Sequence, residues 1–355
     1  MSHLTGEQQE LAASVRALLA KRSDSAAVRR AITSDIGYDP SLWQTLCEQI
    51  GVAALLIDEE FGGIGAGSLE AHVVLDELGR GLTPSPMLGS AVLAAQLVQA
   101  LNDDESSRRL LPRIAAGEIA SVAWSDAAGS WATPAITASN GLLSGTAHYV
   151  LDGDLADILL VVAADEHGVG VYEVDPAAAV RSHTPTLDPT RRLANVTLDA
   201  APGTRIGDDA EQACAQALRA AVVGQTAEQA GAAARILDLT VEYSKTRVQF
   251  GRPIGSFQAL KHRMADLHVL VEAARSASYA AAAGSIDASV AKAYCDDAFR
   301  TVAGECIQLH GGIAITWEHD AHLYFKRAHS SAQLFGTSDQ HVRALAPDLG
   351  LEVGS

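Results

Sequence analysis

The apolar residues of this chain change period twice, and that double switch narrows what the chain can fold into. From residue 1 to about 116 they recur every three or four positions, as on one face of a helix. From about 117 to 205 they gather in short runs between turn signals, and from about 206 onward the helical spacing returns. In the middle segment Ile158-Leu159-Leu160-Val161-Val162 lies between Asp157 and Asp165, and Val169-Gly170-Val171-Tyr172-Glu173-Val174 stops at Asp175-Pro176. Such runs predict the strands of a small antiparallel sheet or barrel. The expected class is therefore α+β, with an N-terminal helical domain at 1–116, a middle β domain at 117–205 and a C-terminal helical domain at 206–355. A chain of 355 residues is long enough for two or three such units around a substantial core.

Leu11, Val15, Leu18 and Arg22 sit at helical spacing, with Glu7, Glu10 and Lys21 elsewhere around the wheel. This predicts an amphipathic first helix rather than a signal peptide, because Met1 to Arg22 has no uninterrupted apolar core. The turn-rich runs Glu60-Phe61-Gly62-Gly63-Ile64-Gly65-Ala66-Gly67 and Thr83-Pro84-Ser85-Pro86 break the helical pattern. In the last segment Ile236, Leu239 and Tyr243, and then Phe257, Leu260, Met264, Leu267, Val271 and Ala274, predict the buried faces of two successive helices. Alanine dominates 213–234 and 273–283, which permits close helix packing.

Hydrophobic residues make up 48% of the chain and charged ones 19%, a globular balance. The formal charge of −17 argues against a nucleic-acid backbone and against an anionic membrane surface as partner. It leaves room for an anionic cofactor, which needs only a few local arginines. No stretch approaches the roughly 20 apolar residues that span a bilayer, so no membrane insertion is expected. Cys47, Cys214, Cys295 and Cys306 form no CxxC pair, which points away from a metal or disulfide framework and towards a reduced cytoplasm. His319 and His322 are three apart, but no glutamate stands at the HExxH spacing, so no metal is expected there. Trp317-Glu318-His319-Asp320 is read as structural, since adjacent helical residues face different directions.

Two motifs carry the chemistry. The first is Arg247-Val248-Gln249-Phe250-Gly251-Arg252-Pro253-Ile254-Gly255-Ser256-Phe257-Gln258, in which an arginine opens a sharp Gly-Arg-Pro turn and Phe-Gln heads the next helical pattern. The second is Gln308-Leu309-His310-Gly311-Gly312. An arginine at a helix end suits a pyrophosphate, because its planar fork binds two phosphate oxygens. The Gly-Gly lets another chain or a dinucleotide approach the backbone closely. Each feature also has a plainer reading. Arg247 can cap a helix C-terminus, Phe250 and Phe257 can belong to the core, and the Gly-Gly can be a tight turn.

In this order and spacing the two motifs resemble the C-terminal domain of the acyl-CoA dehydrogenase family of flavoproteins. Asp58-Glu59-Glu60-Phe61-Gly62-Gly63-Ile64-Gly65 and Asp76-Glu77-Leu78-Gly79-Arg80 add a fainter likeness, and the β region departs from the family. The resemblance implies an N-terminal helical domain, a β domain and a C-terminal four-helix domain, with FAD at a subunit interface. Arg247 would meet the pyrophosphate. Gln249, Phe250, Phe257 and Gln258 would be neighbouring contacts. Gln308, Gly311 and Gly312 would reach a cofactor held by a different subunit, and Thr337 would touch the adenine-side half. The implied reaction removes a proton alpha to a thioester carbonyl and passes the beta hydrogen to flavin as hydride, giving a trans-2-enoyl-CoA. An acyl-CoA substrate and electron-transfer flavoprotein as acceptor are implied with it.

The base that this reaction needs is missing from its usual places. Where many members carry a glutamate before Gly-Thr, this chain reads Leu334-Phe335-Gly336-Thr337. From Gln212 to Ala227, where other members place it, there is no carboxylate. Glu228 and Glu318 are the fallback candidates. The flavin-ring segments are altered too, to Trp124-Ser125-Asp126-Ala127-Ala128-Gly129-Ser130-Trp131 and His148-Tyr149-Val150-Leu151. The expectation is a subunit that helps hold FAD in a heterotetramer while a paralogous subunit supplies the base. The alternatives are a self-sufficient homotetramer with a non-standard base and a non-enzymatic scaffold without flavin. Arg247, Gln258 and Gln308 speak against the scaffold. Some base-deficient members handle sterol-derived thioesters, so a substrate of that kind is implied at the level of the family.

Overall fold

The computed structural model describes residues 4–208, 210–347 and 350. Along the chain the order is helices, strands, helices. The first helices are α1 (Gly6–Arg22), α2 (Ser25–Ile32), α3 (Pro40–Thr45), α4 (Ser68–Gly81), α5 (Ala95–Ala100) and α6 (Asp104–Ala115). Seven strands follow: β1 (Ala120–Ala123), β2 (Ile136–Ser139), β3 (Leu142–Leu151), β4 (Ile158–Asp165), β5 (Gly168–Val174), β6 (Val180–His183) and β7 (Leu193–Ile206). The C-terminal helices are α7 (Ala210–Thr246), α8 (Gln258–Ala282), α9 (Ala288–His310), α10 (Ala321–Ser331) and α11 (Ser338–Leu345). A two-stranded hairpin of β8 (Val248–Gln249) and β9 (Arg252–Pro253) links α7 to α8.

Contacts group the chain into two units. One takes in the chain up to Arg29, His72–Thr83 and the chain from Gln225 on; the other takes in Arg30–Ala71 and Pro84–Gly224. The second unit holds the sheet. Its strands run β1-β4-β2-β3-β7-β5, and β5 pairs back on β4, so the sheet closes on itself as a small barrel. Most pairings are antiparallel, as expected from the short apolar runs, but β1 and β2 both lie parallel to β4. The two share one edge of β4, β1 beside Ile158–Val161 and β2 beside Ala163 and Ala164. The barrel is filled by Ile136, Leu143, Val150, Leu159, Val161, Val174 and Val196, all at most 1% exposed.

The other unit is a helical assembly held by close backbone approach. A Cβ on Gly79 of α4 would lie 2.2 Å from the Glu228 carbonyl oxygen of α7, and one on Gly231 would lie 2.0 Å from that of Asp76. Two glycines, one on each helix, thus let α4 and α7 cross backbone against backbone. This gives the Asp76–Arg80 run and the small-residue content of α7 a physical reason.

Two expected helix faces are shifted. Helix α1, capped by a reciprocal Thr5–Gln8 box, buries Gln8, Ala12, Val15 and Leu19 rather than the stripe through Leu11, Leu18 and Arg22. Leu18 and Leu19 are equally apolar, and the spacing alone does not choose between the stripes they head. On α8 the predicted face is buried only from Leu267 onward; Phe257, Leu260 and Met264 are half-exposed. Phe257 and Leu260 are part of a cleft wall instead.

Candidate functional site

Helix α7 ends at Thr246, and the chain turns at once into the β8–β9 hairpin, closed by the Ile254 N–H donating to the Arg247 carbonyl at 2.8 Å. The sharp turn falls at Phe250-Gly251 rather than at Gly-Arg-Pro: Gln249 pairs with Arg252, and the two residues between them have φ of 53° and 76°. Positive φ at both positions is what a tight two-residue hairpin of right-handed twist requires. Glycine adopts it freely, whereas phenylalanine does so against steric resistance. Phe250 is also 92% exposed. Its ring makes an edge contact with Phe257 at 6.2 Å, and the Arg252 guanidinium lies 4.0 Å over the Phe257 ring.

The hairpin and the end of α9 face one cleft of about 550 Å³. Arg247, Gln249, Phe250, Phe257, Gln308, Gly311 and Gly312, seven of the nine residues expected from sequence, line it. The two motifs therefore share one cleft within a single chain. Gln258 heads α8 without lining the cleft, and its side chain lies 3.4 Å from the His262 ring. Thr337 lies elsewhere, capping α11 in a reciprocal box with Gln340. Arg247 forms no ion pair among the described residues, whereas the neighbouring Arg263 donates to Glu305 at 3.0 Å and Lys245 to Glu242 at 2.7 Å. No carboxylate is among the described residues that line the cleft.

The Gly-Gly is informative in detail. Gly311 has φ +68°, a backbone that favours glycine. Gly312 has no such φ, and a Cβ there would meet nothing within 4 Å. Among the described residues nothing in the chain itself calls for glycine at 312.

Sequence reasoning did not single out the ring pair of Tyr243 and His310, which also lines this cleft. Tyr243 stacks on His310 at 4.6 Å, and His310 lies 4.4 Å from His319. The His310 Nδ1–H donates to the Cys306 carbonyl at 2.8 Å, which leaves Nε2 as the unprotonated nitrogen of the neutral ring. Burial holds the His310 and His319 pKa values below the ordinary histidine value. Tyr243 was legible only as part of an apolar helix face, and His310 only as a spacer before the glycines.

The base candidates lie apart from the cleft lining. Phe335 is 2% exposed with a left-handed φ of 62°. Glu228 is buried at the α4–α7 crossing with Arg327 at 3.8 Å, and Glu318 is exposed. In the other unit, Trp124 packs edge-on against Trp131 at 5.4 Å, Ser125 donates to the His148 carbonyl, and Val150 is buried. A second cavity of about 440 Å³ is lined by Arg16, Glu77, Arg80 and Asp320 among others; Arg16 pairs with Glu77, Arg80 with Asp238 at 2.9 Å and Asp320 with Arg29 at 2.5 Å. The carboxylates in its lining set it apart from the first cleft. No helix among the described residues is long and apolar enough to cross a membrane.

Residues 5–118 match the acyl-CoA dehydrogenase N-terminal domain and residues 212–349 the acyl-CoA dehydrogenase C-terminal domain. The chain is 43% identical over 348 residues to the acyl-CoA dehydrogenase IpdE2 of Mycolicibacterium smegmatis, covering 98% of this chain and 100% of the relative. The chain belongs to the acyl-CoA dehydrogenase family. Acyl-CoA dehydrogenases are FAD-dependent oxidoreductases. A second IpdE2, from Mycobacterium tuberculosis, is 44% identical over 97% of each chain. Among solved structures of the family, the Tcur3481-Tcur3483 steroid ACAD matches with a TM-score of 0.88 and 30% identity, covering 97% of this chain and 98% of that one. The ChsE4-ChsE5 complex from Mycobacterium tuberculosis matches with a TM-score of 0.89 and 26% identity over 99% of each chain.

Proposed function

We propose that this chain is a base-deficient subunit of a mixed acyl-CoA dehydrogenase tetramer that converts an acyl-CoA thioester to its trans-2-enoyl-CoA. In this reading the segment 206–355 holds FAD, and a paralogous subunit supplies the base. The observation that carries it is the cleft, where seven expected cofactor contacts converge around an arginine that no carboxylate among the described residues neutralises. A free guanidinium at a helix end suits a pyrophosphate, and an exposed aromatic on a strained backbone suits a flat ring system. Gly312, which the chain's own packing does not require, suits a ligand or second subunit pressed against the backbone.

Arg247 would grip the pyrophosphate from one wall, beside Gln249, Phe250 and Phe257, with Gln258 at the head of α8 next to them. Gln308, Gly311 and Gly312 line the other wall and would reach the cofactor where a different subunit holds it. Thr337 would meet the adenine side. When bound, FAD takes up the beta hydrogen as hydride. The alpha proton needs a carboxylate. Phe335 has no group to accept a proton, Glu228 is engaged with Arg327, and Glu318 stands in solvent. A proton acceptor on the paralogous subunit fills that gap. The relatedness to a steroid ACAD and to a complex of ChsE4 with ChsE5 supports a bulky steroid-derived acyl group and a mixed assembly. Electron-transfer flavoprotein would be the electron acceptor.

The test is the absorption spectrum and turnover of the chain purified alone and with its co-expressed paralogue. The expected result is negligible acyl-CoA dehydrogenation by the isolated chain with an artificial acceptor, and flavin bands with turnover in the complex. Robust turnover by the chain alone, abolished by Glu228→Gln or Glu318→Gln, would establish the homotetramer instead. Absence of flavin from every assembly would leave the scaffold.

A further inference from the structure

The stretch from Ser331 to Thr337 is held by more of the molecule than its length requires. Two successive residues of the turn have left-handed backbone, Phe335 at φ 62° and Gly336 at φ 100°. Glycine takes this conformation freely, but a buried phenylalanine does so only where its surroundings fix it. At the near end the Ser331 carbonyl, in the last turn of α10, accepts from Lys292 Nζ at 3.0 Å and from Gln225 Nε2 at 3.1 Å. Lys292 is itself fixed by Asp296 at 2.6 and 2.7 Å, and Gln229 donates to the same aspartate at 2.5 Å. In the turn proper the Phe335 carbonyl lies 3.0 Å from His341 Nε2, and His341 Nδ1 lies 3.1 Å from the Ser289 hydroxyl of α9.

The chemistry of those two contacts sets the histidine's state. A carbonyl only accepts, so Nε2 carries the proton. In the neutral ring Nδ1 is then the acceptor, and Ser289 donates to it. The imidazole thus ties α9 to the strained carbonyl through a fixed tautomer. Its position under the turn is tight, since a Cβ on Gly336 would lie 3.1 Å from Nε2. The next residue is Thr337, whose side chain and backbone N–H are both engaged in the α11 cap.

We infer that His341 is a positioning residue, which holds the Phe335-Gly336 peptide in its left-handed form and thereby aims the Gly336-Thr337 edge at the adenine-side half of the dinucleotide. The inference rests on the FAD reading above and adds to it the donor that shapes this part of the site. Lys292 anchors the near end of the same turn, and His341 sets its far end. The group that matters at 341 is one N–H at the reach of Nε2. Glutamine places an amide N–H at about that reach, alanine offers none, and asparagine reaches only as far as Nδ1.

The experiment compares His341→Gln, His341→Asn and His341→Ala in the flavin-holding assembly, by titrating FAD into apoprotein and following flavin fluorescence. Losing one hydrogen bond corresponds to about a two- to tenfold weakening. His341→Ala and His341→Asn are expected to fall in that range, and His341→Gln to stay within about twofold of the parent. Where His341→Ala fails to fold, Ser289→Ala serves as the second variant. It removes the partner that fixes the tautomer and is expected to weaken FAD by about two- to threefold. Equal affinity across all four variants, or glutamine no better than alanine, would overturn the assignment. Arg247→Ala is run in parallel. If it loses FAD while His341→Ala does not, the positioning role alone fails; if neither loses FAD, the cofactor reading fails with it.

Discussion

Around Ser331 the chain buries a lysine and an aspartate against each other, while at the Phe250 hairpin Arg247 has no carboxylate partner among the described residues and an aromatic ring is 92% exposed. Both regions belong to the same helical unit. In the first, removing a charge from water is offset by internal partners. In the second, strain and exposed apolar surface go uncompensated within the chain. Under the reading proposed above, a bound cofactor offsets that cost. The contrast predicts that damage to the first region appears as lost stability and damage to the second as lost binding.

The largest effect is expected at the buried pair. Lys292→Met strands the Asp296 carboxylate and should destabilise the chain by roughly 3–5 kcal/mol, whereas Lys292→Met combined with Asp296→Leu should be far milder. Chemical denaturation checks this, and a double variant as weak as the single would show that the pair does more than neutralise itself.

Next comes a pair of opposed titrations on α4. Burial lowers His72 from 6.5 to about 4, with its Nε2 2.9 Å from the Ser278 hydroxyl, and raises Asp76 from 3.8 to about 6. The depressed histidine contributes stability above pH 6.5 that is lost as pH falls towards 4. The raised aspartate contributes stability below pH 3.8 that is lost as pH rises through 6. Between pH 4 and 6 the two slopes oppose each other. In Asp76→Asn the opposing slope is gone, so stability should climb from pH 4 to 6.5 by up to about 3 kcal/mol more than in Asp76→Asn combined with His72→Gln. Equal profiles in the two variants would remove His72 from the account.

At the hairpin the expected signs change. Arg247→Ala should weaken FAD by ten- to a hundredfold, on the order of 1.5–3 kcal/mol for a charge-assisted contact, while shifting unfolding by less than about 0.5 kcal/mol. A large loss of stability there would break the contrast between the regions. The smallest effect is the sharpest test. Phe250→Asn places in the left-handed turn a residue that tolerates it and should stabilise the isolated chain by about 0.5 kcal/mol. The same change should weaken flavin retention. Equal retention would return Phe250 to the role of a turn residue.

Much of this was legible in the sequence, unevenly. The pattern switch near 117 marked the β region because short apolar runs between turn signals read as strands, and Ile158–Val162 and Val169–Val174 fall within β4 and β5. Arg247 and Gly312 stood out because their chemistry lies in the residue type itself. Lys292 and Asp296 did not, since an i, i+4 pair of opposite charge looks the same whether it faces water or the core. His341 was invisible for a related reason. Its partners, Ser289 and the Phe335 carbonyl, are brought to it by the packing of α9 against the turn.

The glycine crossing of α4 on α7 also bears on how the molecule is made. Gly79 finds its seat on Glu228 only after the ribosome has added the whole of Pro84–Gly224, which belongs to the other unit. At roughly 5–20 residues per second that wait is on the order of ten seconds. During it α4, whose Val73, Val74, Leu75 and Leu78 are each at most 4% exposed in the finished structure, lacks the α7 backbone that Gly79 packs against. A nascent chain stalled before Gln225 would present that greasy helix to chaperones and to its neighbours on the polysome. Yield on overexpression should therefore depend on the pace of translation across the barrel more than on the stability of the finished protein.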